Sequence, residues 1–174
     1  MFNLIRRYAT PAFSLFASAV FLDSLRYKFT NHPNTQEIFG RLNDWAASLG
    51  AGGLFAQTGL FSQYVIGTAE LLASSLLLIG IWPRFRRIHA LGALIAFAVM
   101  SGAVSFHLFT PLGVDPNNDG GGLFAAALTI WATSLGLLIV RRNELIAVAR
   151  EIAAVLVPPS AQQQAQRSAT PARA

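Results

Sequence analysis

Four long apolar stretches dominate the sequence and constrain its fold more than any other feature. They cover residues 8–29, 58–82, 88–110 and 123–140. A membrane span needs about 20 mainly apolar residues, because about 30 Å of hydrocarbon is crossed at 1.5 Å per residue. Each stretch meets or nearly meets that length. The sequence therefore predicts an all-α, polytopic, multi-pass membrane protein with four transmembrane helices in an antiparallel bundle.

The composition agrees with this prediction and excludes several other classes of protein. Hydrophobic residues make up 53% of the 174-residue chain and charged residues only 12%, about half the charged share of a soluble domain. The absence of cysteine excludes disulfides, thiolate catalysis and cysteine-based metal sites. The net charge of +5 comes from arginine, since Lys28 is the single lysine. In a membrane protein such a surplus sets topology, so we expect the lipid bilayer, and no nucleic acid, as a partner.

The arginines predict how the four spans are oriented. Seven of them flank the spans in three groups, namely Arg6, Arg7, Arg84, Arg86, Arg87, Arg141 and Arg142. By contrast, the loop at residues 111–122 contains two aspartates and no basic residue. Under the positive-inside rule both termini and the second loop face the cytoplasm. This is an N-in/C-in topology in a cell membrane, which we interpret as a bacterial inner membrane.

Three segments lie outside these spans. Residues 33–50 carry apolar residues at helical spacing, which predicts an amphipathic helix on the outer interface. Residues 143–157 have a similar pattern and either prolong the fourth span or lie on the inner surface. Residues 158–174 are polar and of low complexity, so we predict a disordered cytoplasmic tail after a membrane domain at residues 1–157.

The N-terminus allows a second interpretation, a cleaved signal peptide. Residues 17–19 resemble an A-x-A cleavage site, and two arginines precede the apolar stretch. The apolar segment before that site is short for a signal peptide, however, and apolar sequence continues beyond it. We therefore interpret residues 8–29 as a membrane span.

Ionisable residues within the apolar stretches require an explanation, because a charge in hydrocarbon is costly unless it is paired, hydrated or neutralised. At 1.5 Å per residue, Glu70 lies about 18 Å from the inner edge of its span, somewhat past the midplane. Asp23, Arg26 and His107 lie farther out. The sequence predicts a polar cluster of Lys28, Glu70, Arg26, Asp23 and His107 at the outer end of the bundle. It shows no matching polar line in the inner half.

Two interpretations of this cluster stay open. In the first, Glu70 pairs with Arg26 or Lys28 and fixes the register of the helices. In the second, the cluster is a ligand or proton site in which Glu70 takes up and releases a proton. His107 fits a hydrogen-bonded residue at a helix end better than a ligand or an acid–base group.

No motif in the chain indicates a metal site or a catalytic centre. The run DPNNDG at residues 115–120 resembles the opening of a calcium loop with Asp115, Asn117 and Asp119 as ligands. The loop lacks its final glutamate, and a turn followed by glycines explains the same residues. The histidine spacing does not favour haem, and there is no nucleophile elbow, phosphate loop or zinc-protease motif. We expect no catalytic residue and no bound haem or metal.

Three of the spans contain distinctive residue patterns. The first closes on FLDSLRYKF at residues 21–29, with a lysine followed by an apolar residue. The second, at residues 67–84, combines Glu70 with a leucine run, a glycine and a basic turn, and the third ends in SFHLFTP at residues 105–111. These patterns resemble the first, second and third helices of the DoxX-like family of small four-helix membrane proteins, the last of them in the branch with reactive-chlorine-resistance membrane proteins.

The resemblance covers about residues 8–142 and carries over two residues by position, Lys28 and Glu70. Many relatives have a glycine near the position of Ser24 or Leu25, and the pair of Asp23 and Arg26 is not part of the family pattern. The resemblance implies an inner-membrane helical bundle. Some members are associated with redox complexes, including membrane subunits of thiosulfate:quinone oxidoreductases, and others respond to oxidative or chlorine stress. It implies no catalytic mechanism.

Together with the polar cluster, the resemblance implies a non-catalytic membrane subunit or anchor in a redox or oxidative-stress-response system. Its expected partner is a soluble oxidoreductase or a second copy of the chain. A quinone is the cofactor to consider, because Lys28 or Arg26 with Glu70 offers a donor and a protonatable neighbour to a carbonyl head group. The alternative function is a small-molecule or proton permease in which Glu70 is the titrating site.

Overall fold

The computed structural model describes residues 2–156, with side chains from residue 8 onward. Within that range the chain forms one 3-10 turn and six α-helices: α1 (Phe2–Phe29), α2 (Pro33–Ser48), α3 (Gln63–Ile79), α4 (Arg86–Phe109), α5 (Gly122–Val140) and α6 (Arg142–Leu156). Residues 2–156 contain no strand, which confirms the predicted all-α class. The tail predicted at residues 158–174 lies outside the described residues.

Three helical segments are long and apolar enough to cross a membrane. They are Tyr8–Phe29 within α1, Pro83–Phe109, which joins the 3-10 turn to α4, and Gly122–Val140, which is α5. In this order they overlap the first, third and fourth predicted spans over most of the length of each span. The agreement follows from their uniform apolar composition, which hydropathy detects without any knowledge of packing.

The remaining apolar helix, α3, is shorter than the span predicted around it. The prediction covered residues 58–82, whereas the helix is Gln63–Ile79, with 17 residues. Its start is fixed by Ser62, whose hydroxyl oxygen accepts a hydrogen bond from the Val65 N–H at 3.3 Å. Its end is capped by Gly80. The apolar residues outside these caps belong to turns, which hydropathy alone does not distinguish from helix.

α1 and α3 pack side by side in opposite directions. Lys28, near the end of α1, contacts Glu70 of α3. Ser18, ten residues earlier in α1, contacts the carbonyl of Ser74, one turn later in α3. Both contacts lie along one continuous interface, which brings the charged end of α1 against the first half of α3.

α3 and α4 approach each other closely enough for their backbones to touch. A Cβ added at Gly92 would lie 2.8 Å from the backbone nitrogen of Leu77, and one at Gly80 would lie 2.3 Å from the Cβ of His89. The same interface contains wholly buried alanines, Ala73, Ala90, Ala93 and Ala96. Small residues permit this close approach, as is usual where membrane helices associate through packing.

α5 continues the antiparallel order. Phe97 of α4 stacks on Trp131 of α5, with ring centroids 5.5 Å apart. His107, farther along α4, meets Phe124, near the start of α5, at 5.4 Å. The four helices α1, α3, α4 and α5 therefore form one bundle.

α2 packs at one end of this bundle, which we call the α2 end. Its Leu42 and Ala46 are buried with Phe55 and Leu112, two residues of the connecting loops. Phe106 at the end of α4 joins this cluster, with its ring 5.2 Å from that of Phe55. The apolar face of α2 thus covers loop residues of the protein itself. The opposite end of the bundle, where α6 follows α5, is called the α6 end.

Candidate functional site

A buried ion pair joins α1 to α3 near the α2 end of the bundle. The Nζ of Lys28 lies 3.0 Å from Oε2 of Glu70 and donates to its Oε1 at 3.1 Å. Ser24 completes the group, since its hydroxyl donates to Oε2 at 3.1 Å and its oxygen accepts from Lys28. The two charged side chains are only 14% and 4% exposed. The three hydrogens of the ammonium group thus have three acceptors inside the protein.

Local sequence explains why the pair forms here. Ser24 and Lys28 are four residues apart, which places them on one face of α1. Gly67 lies one turn before Glu70 on α3, where an added Cβ would be 3.2 Å from the ring of Phe29 and 3.4 Å from Cδ of Lys28. The missing side chain leaves room for the lysine to cross between the helices.

A network of amide side chains covers the ion pair at the α2 end. Gln63, at the start of α3, is buried and donates to the Lys28 carbonyl and to Oδ1 of Asn31, both at 2.6 Å. Its own Oε1 accepts from the Gln36 amide at 2.7 Å. Tyr64 adds a hydrogen bond to the same Asn31 oxygen at 2.8 Å. These bonds tie α1, α2 and α3 together above the charged pair.

The other predicted members of the cluster lie elsewhere. Asp23 and Arg26 pair with each other at 3.0 Å on the outside of α1, where their side chains are 59% and 70% exposed. They occupy a different face of the helix from Lys28. The structure therefore brings together Lys28 and Glu70 and leaves Asp23 and Arg26 as a separate surface pair.

His107 is buried at the end of α4, apart from the ion pair. Its Nδ1 lies 2.6 Å from the carbonyl oxygen of Gly113, so the ring holds the loop that follows α4. The other side of the ring packs against Phe124. This is the environment of a helix-end residue that fixes a loop.

Asp115 and Asp119 shape the loop between α4 and α5. Asp115 accepts the backbone N–H of Asp119 at 2.7 Å, and Asp119 accepts those of Gly121 at 3.0 Å and Leu123 at 2.8 Å. The hydrogen bond from Leu123 is the main reason that the pKa of Asp119 lies below its usual value, with the contacts to Asp115 and Gly121 adding to it. The carboxylates thus serve the turn and the first turn of α5.

No metal-binding group accompanies these residues in the part of the chain that the structure describes. Within residues 2–156, no three or more His, Asp or Glu side chains are placed to hold a metal ion. Asn117, the third candidate calcium ligand, lies in the same turn. The geometry of this loop is explained by its own hydrogen bonds.

The sequence analysis missed a second buried polar contact, at the α6 end. His89 is completely buried in α4, with Nε2 2.8 Å from the hydroxyl oxygen of Ser14 in α1. The serine hydroxyl lies 3.0 Å from the carbonyl of Thr10, an acceptor four residues back, so the imidazole donates to the serine. Nδ1 has no hydrogen-bond partner. His89 is the second residue of the span predicted at residues 88–110, and the arginines that precede it give no sign that its side chain is buried.

Buried serines lie between the two polar sites. Ser74 donates to the carbonyl of Glu70 at 2.8 Å, and Ser18 reaches the carbonyl of Ser74 at 3.4 Å. Both are buried, as is Ser14 beyond them. These serines and His89 thus place buried polar groups in the half of the bundle away from the ion pair, for which the sequence suggested no polar line. Ser14 and Ser18, four residues apart in an apolar helix, are the signal in the sequence that could have indicated them.

Comparison of the chain with family models, with curated proteins and with solved structures finds no match. The similarity to the DoxX-like family accordingly rests on the residues quoted from the sequence. The chemistry of the site rests on its own geometry, a closed Lys28–Glu70 pair in an apolar bundle.

Proposed function

We propose that this chain is a four-span membrane protein with N-in/C-in topology that serves as a non-catalytic subunit or anchor in a redox or oxidative-stress-response system. Three helices have the length and composition of membrane spans. The fourth span would be α3, whose 17 residues cover about 25 Å and which packs between α1 and α4. A span slightly shorter than the hydrocarbon is accommodated by modest bilayer thinning.

The non-catalytic assignment rests on the ion pair, whose polar groups are bonded to one another and leave no free donor for a ligand. The ammonium group of Lys28, the hydroxyl of Ser24 and both carboxylate oxygens of Glu70 are already engaged within the group. Gln63 and Asn31 cover the pair from the α2 end. This arrangement supports a structural role in which the ion pair fixes the register of α1 against α3.

The pair as arranged does not fit a quinone head group. A carbonyl oxygen needs a free donor, whereas the lysine hydrogens already have three acceptors. The surface groove next to this region is lined by Tyr64, Val65, Thr68, Ala69 and Leu72 of α3 and carries no charge. What supports a role in a redox or stress-response system is the resemblance in sequence to the DoxX-like family.

A mild-detergent pull-down of the tagged chain from its native membrane, followed by mass spectrometry, tests the subunit assignment. A soluble oxidoreductase recovered in stoichiometric amount supports the proposal. Recovery of this chain alone would overturn it. A pull-down with the Glu70→Leu/Lys28→Met double variant is the matched control, because a partner that recognises the scaffold, not the charges, should still be recovered.

The topology is testable because the chain has no cysteine of its own. Single cysteines at Asn34, Pro83 and Asn143 probe the start of α2, the turn after α3 and the start of α6; all three positions are exposed. An impermeant maleimide applied to intact cells should label Asn34→Cys alone. Pro83→Cys and Asn143→Cys should react only after the membrane is permeabilised. Labelling of Asn34→Cys and Pro83→Cys from the same side would contradict a membrane-spanning α3.

A proton or small-molecule permease is the second candidate, and one observation favours it. The buried residues Ser74, Ser18, Ser14 and His89 continue the series of polar groups from Glu70 towards the α6 end. Flux into proteoliposomes that disappears in Glu70→Gln would support a permease with Glu70 as its titrating site. Flux that is unchanged in that variant would exclude Glu70 from the mechanism.

A further inference from the structure

α6 runs across the end of the bundle instead of extending away from it. α5 ends at Val140, and α6 begins at Arg142 after a break at Arg141. Nine residues farther on, Glu151 pairs with Arg87 at 2.9 Å. Arg87 is the second residue of α4, so this ion pair lies at the same end of the bundle as the break between α5 and α6. α6 is therefore held along that end and does not prolong α5.

The helix presents apolar side chains that the bundle does not cover. Ile152, Val155 and Leu156, which share one side of α6, are 54%, 80% and 74% exposed. An amphipathic helix lying at the boundary of head groups and acyl chains buries such residues in the bilayer. Trp82, at the same end, is also largely exposed and of the type that anchors proteins at this depth.

The charge on this surface is strongly positive. Six arginines lie in the turn before α4, at the start of α4 and around α6, namely Arg84, Arg86, Arg87, Arg141, Arg142 and Arg150. The two glutamates there are already engaged, Glu151 by Arg87 and Glu144 by Arg141 at 3.7 Å. Six positive charges against two negative ones leave an excess of four. Guanidinium groups match the geometry of phosphate, so this excess complements anionic lipid head groups.

We propose that α6 and the turn Pro83–Phe85 form a surface that docks onto anionic phospholipid, with the apolar side of α6 in the acyl boundary and the arginines on the phosphates. The inference rests on the proposed embedding of the bundle in a membrane. It depends neither on the redox partner nor on which side of the membrane α6 faces. Anionic lipid at that end would hold α6 against α4, where the contact of Arg87 with Glu151 is otherwise exposed.

The test uses the full chain with one cysteine, Val155→Cys, labelled with an environment-sensitive fluorophore. The protein is reconstituted into nanodiscs of phosphatidylcholine with increasing phosphatidylglycerol, and quenching by brominated acyl chains is measured. Quenching should rise with phosphatidylglycerol and fall with added salt. Replacing two arginines, Arg142→Gln/Arg150→Gln, should raise the half-saturating fraction of phosphatidylglycerol about fivefold or more.

Two controls make the outcome decisive. Arg41→Gln removes an exposed arginine from α2, at the other end of the bundle, and should leave the lipid dependence unchanged. A probe at Leu128→Cys, on the exposed side of α5, should be quenched at every lipid composition. Two results would overturn the docking proposal. One is quenching at Leu128 with none at Val155, and the other is quenching at Val155 that does not depend on phosphatidylglycerol or salt. Absence of quenching at Leu128 would instead contradict the embedding of the bundle itself.

Discussion

Lys28 and Glu70 form a closed ion pair between α1 and α3, with Nζ 3.0 Å from Oε2 and Ser24 bonded to both side chains. The two groups neutralise each other where both side chains are largely buried. Removing one partner therefore leaves an uncompensated charge in a buried position, whereas removing both leaves none. This asymmetry gives the pair a distinctive signature in mutants.

Lys28→Met and Glu70→Leu should each lower the free energy of unfolding by about 3–5 kcal/mol. The double variant should recover most of that loss, because its apolar side chains fill similar volume without an unpaired charge. Denaturant titration of the purified protein in mixed micelles, followed by circular dichroism, measures both effects.

The matched control for this experiment is the exposed pair on the same helix. Asp23→Asn breaks the contact with Arg26, where both groups are well exposed, and should change the free energy of unfolding by no more than about 1 kcal/mol. If the double variant of Lys28 and Glu70 were as unstable as the single variants, the loss of stability would not come from an unpaired buried charge, and the prediction would be wrong.

Gly92→Ala should destabilise the bundle by about 1–3 kcal/mol, because the added methyl would lie 2.8 Å from the backbone nitrogen of Leu77. The helices α3 and α4 would have to separate to admit it. Gly136→Ala is the matched control, since nothing lies within 4 Å of an added Cβ at that mid-helix position. It should be neutral or slightly stabilising. Equal effects of the two substitutions would contradict the close approach of α3 and α4.

Ser14→Ala should cost about 1–3 kcal/mol, because it leaves the buried Nε2–H of His89 without an acceptor. Ser75→Ala provides the comparison, since the Ser75 hydroxyl is exposed and bonds only to the carbonyl of Leu71 in its own helix. That substitution should have little effect on the unfolding midpoint. If the two substitutions changed the unfolding midpoint equally little, the hydrogen bond between Ser14 and His89 would not stabilise the fold.

Much of the fold was predictable because apolar composition is a property of single residues. The spans in α1, α4 and α5 follow from runs of apolar side chains, and a helix occupies Pro33–Ser48 within the segment for which spacing predicts one. The bounds of α3 depend instead on the caps Ser62 and Gly80. A hydropathy profile does not detect caps, because they act through backbone hydrogen bonds.

The candidate site was predictable only in part, for a similar reason. The cost of a buried charge singles out Glu70, and the sequence offers two basic partners for it, Arg26 and Lys28. Which basic residue faces the carboxylate depends on the rotation of α1, and that rotation turns Lys28 inward and Arg26 outward. His89 was missed because a histidine only two residues after Arg87 gives no signal in the sequence that its side chain is buried.

Asp119 provides a prediction of pH dependence. Its carboxylate accepts N–H groups at the start of α5, and these hold its pKa below the usual value of 3.8. Because the pKa is lower in the folded chain, the stabilisation is fully present above the unfolded value. It is lost as the pH falls below 3.8 and through the folded value. Asp119→Ala should therefore lower the melting temperature at neutral pH, and its difference from the original chain should shrink on acidification.

Asn117→Ala, in the same turn, is the control for that experiment, because asparagine does not titrate. Its difference in melting temperature from the original chain should stay constant over the same acid range. Thermal melts of the three proteins in one detergent, recorded from neutral pH down to below pH 3.8, measure these differences. A difference for Asp119→Ala that is independent of pH would show that the carboxylate caps α5 equally well when protonated, contrary to the hydrogen bonds it accepts from Gly121 and Leu123.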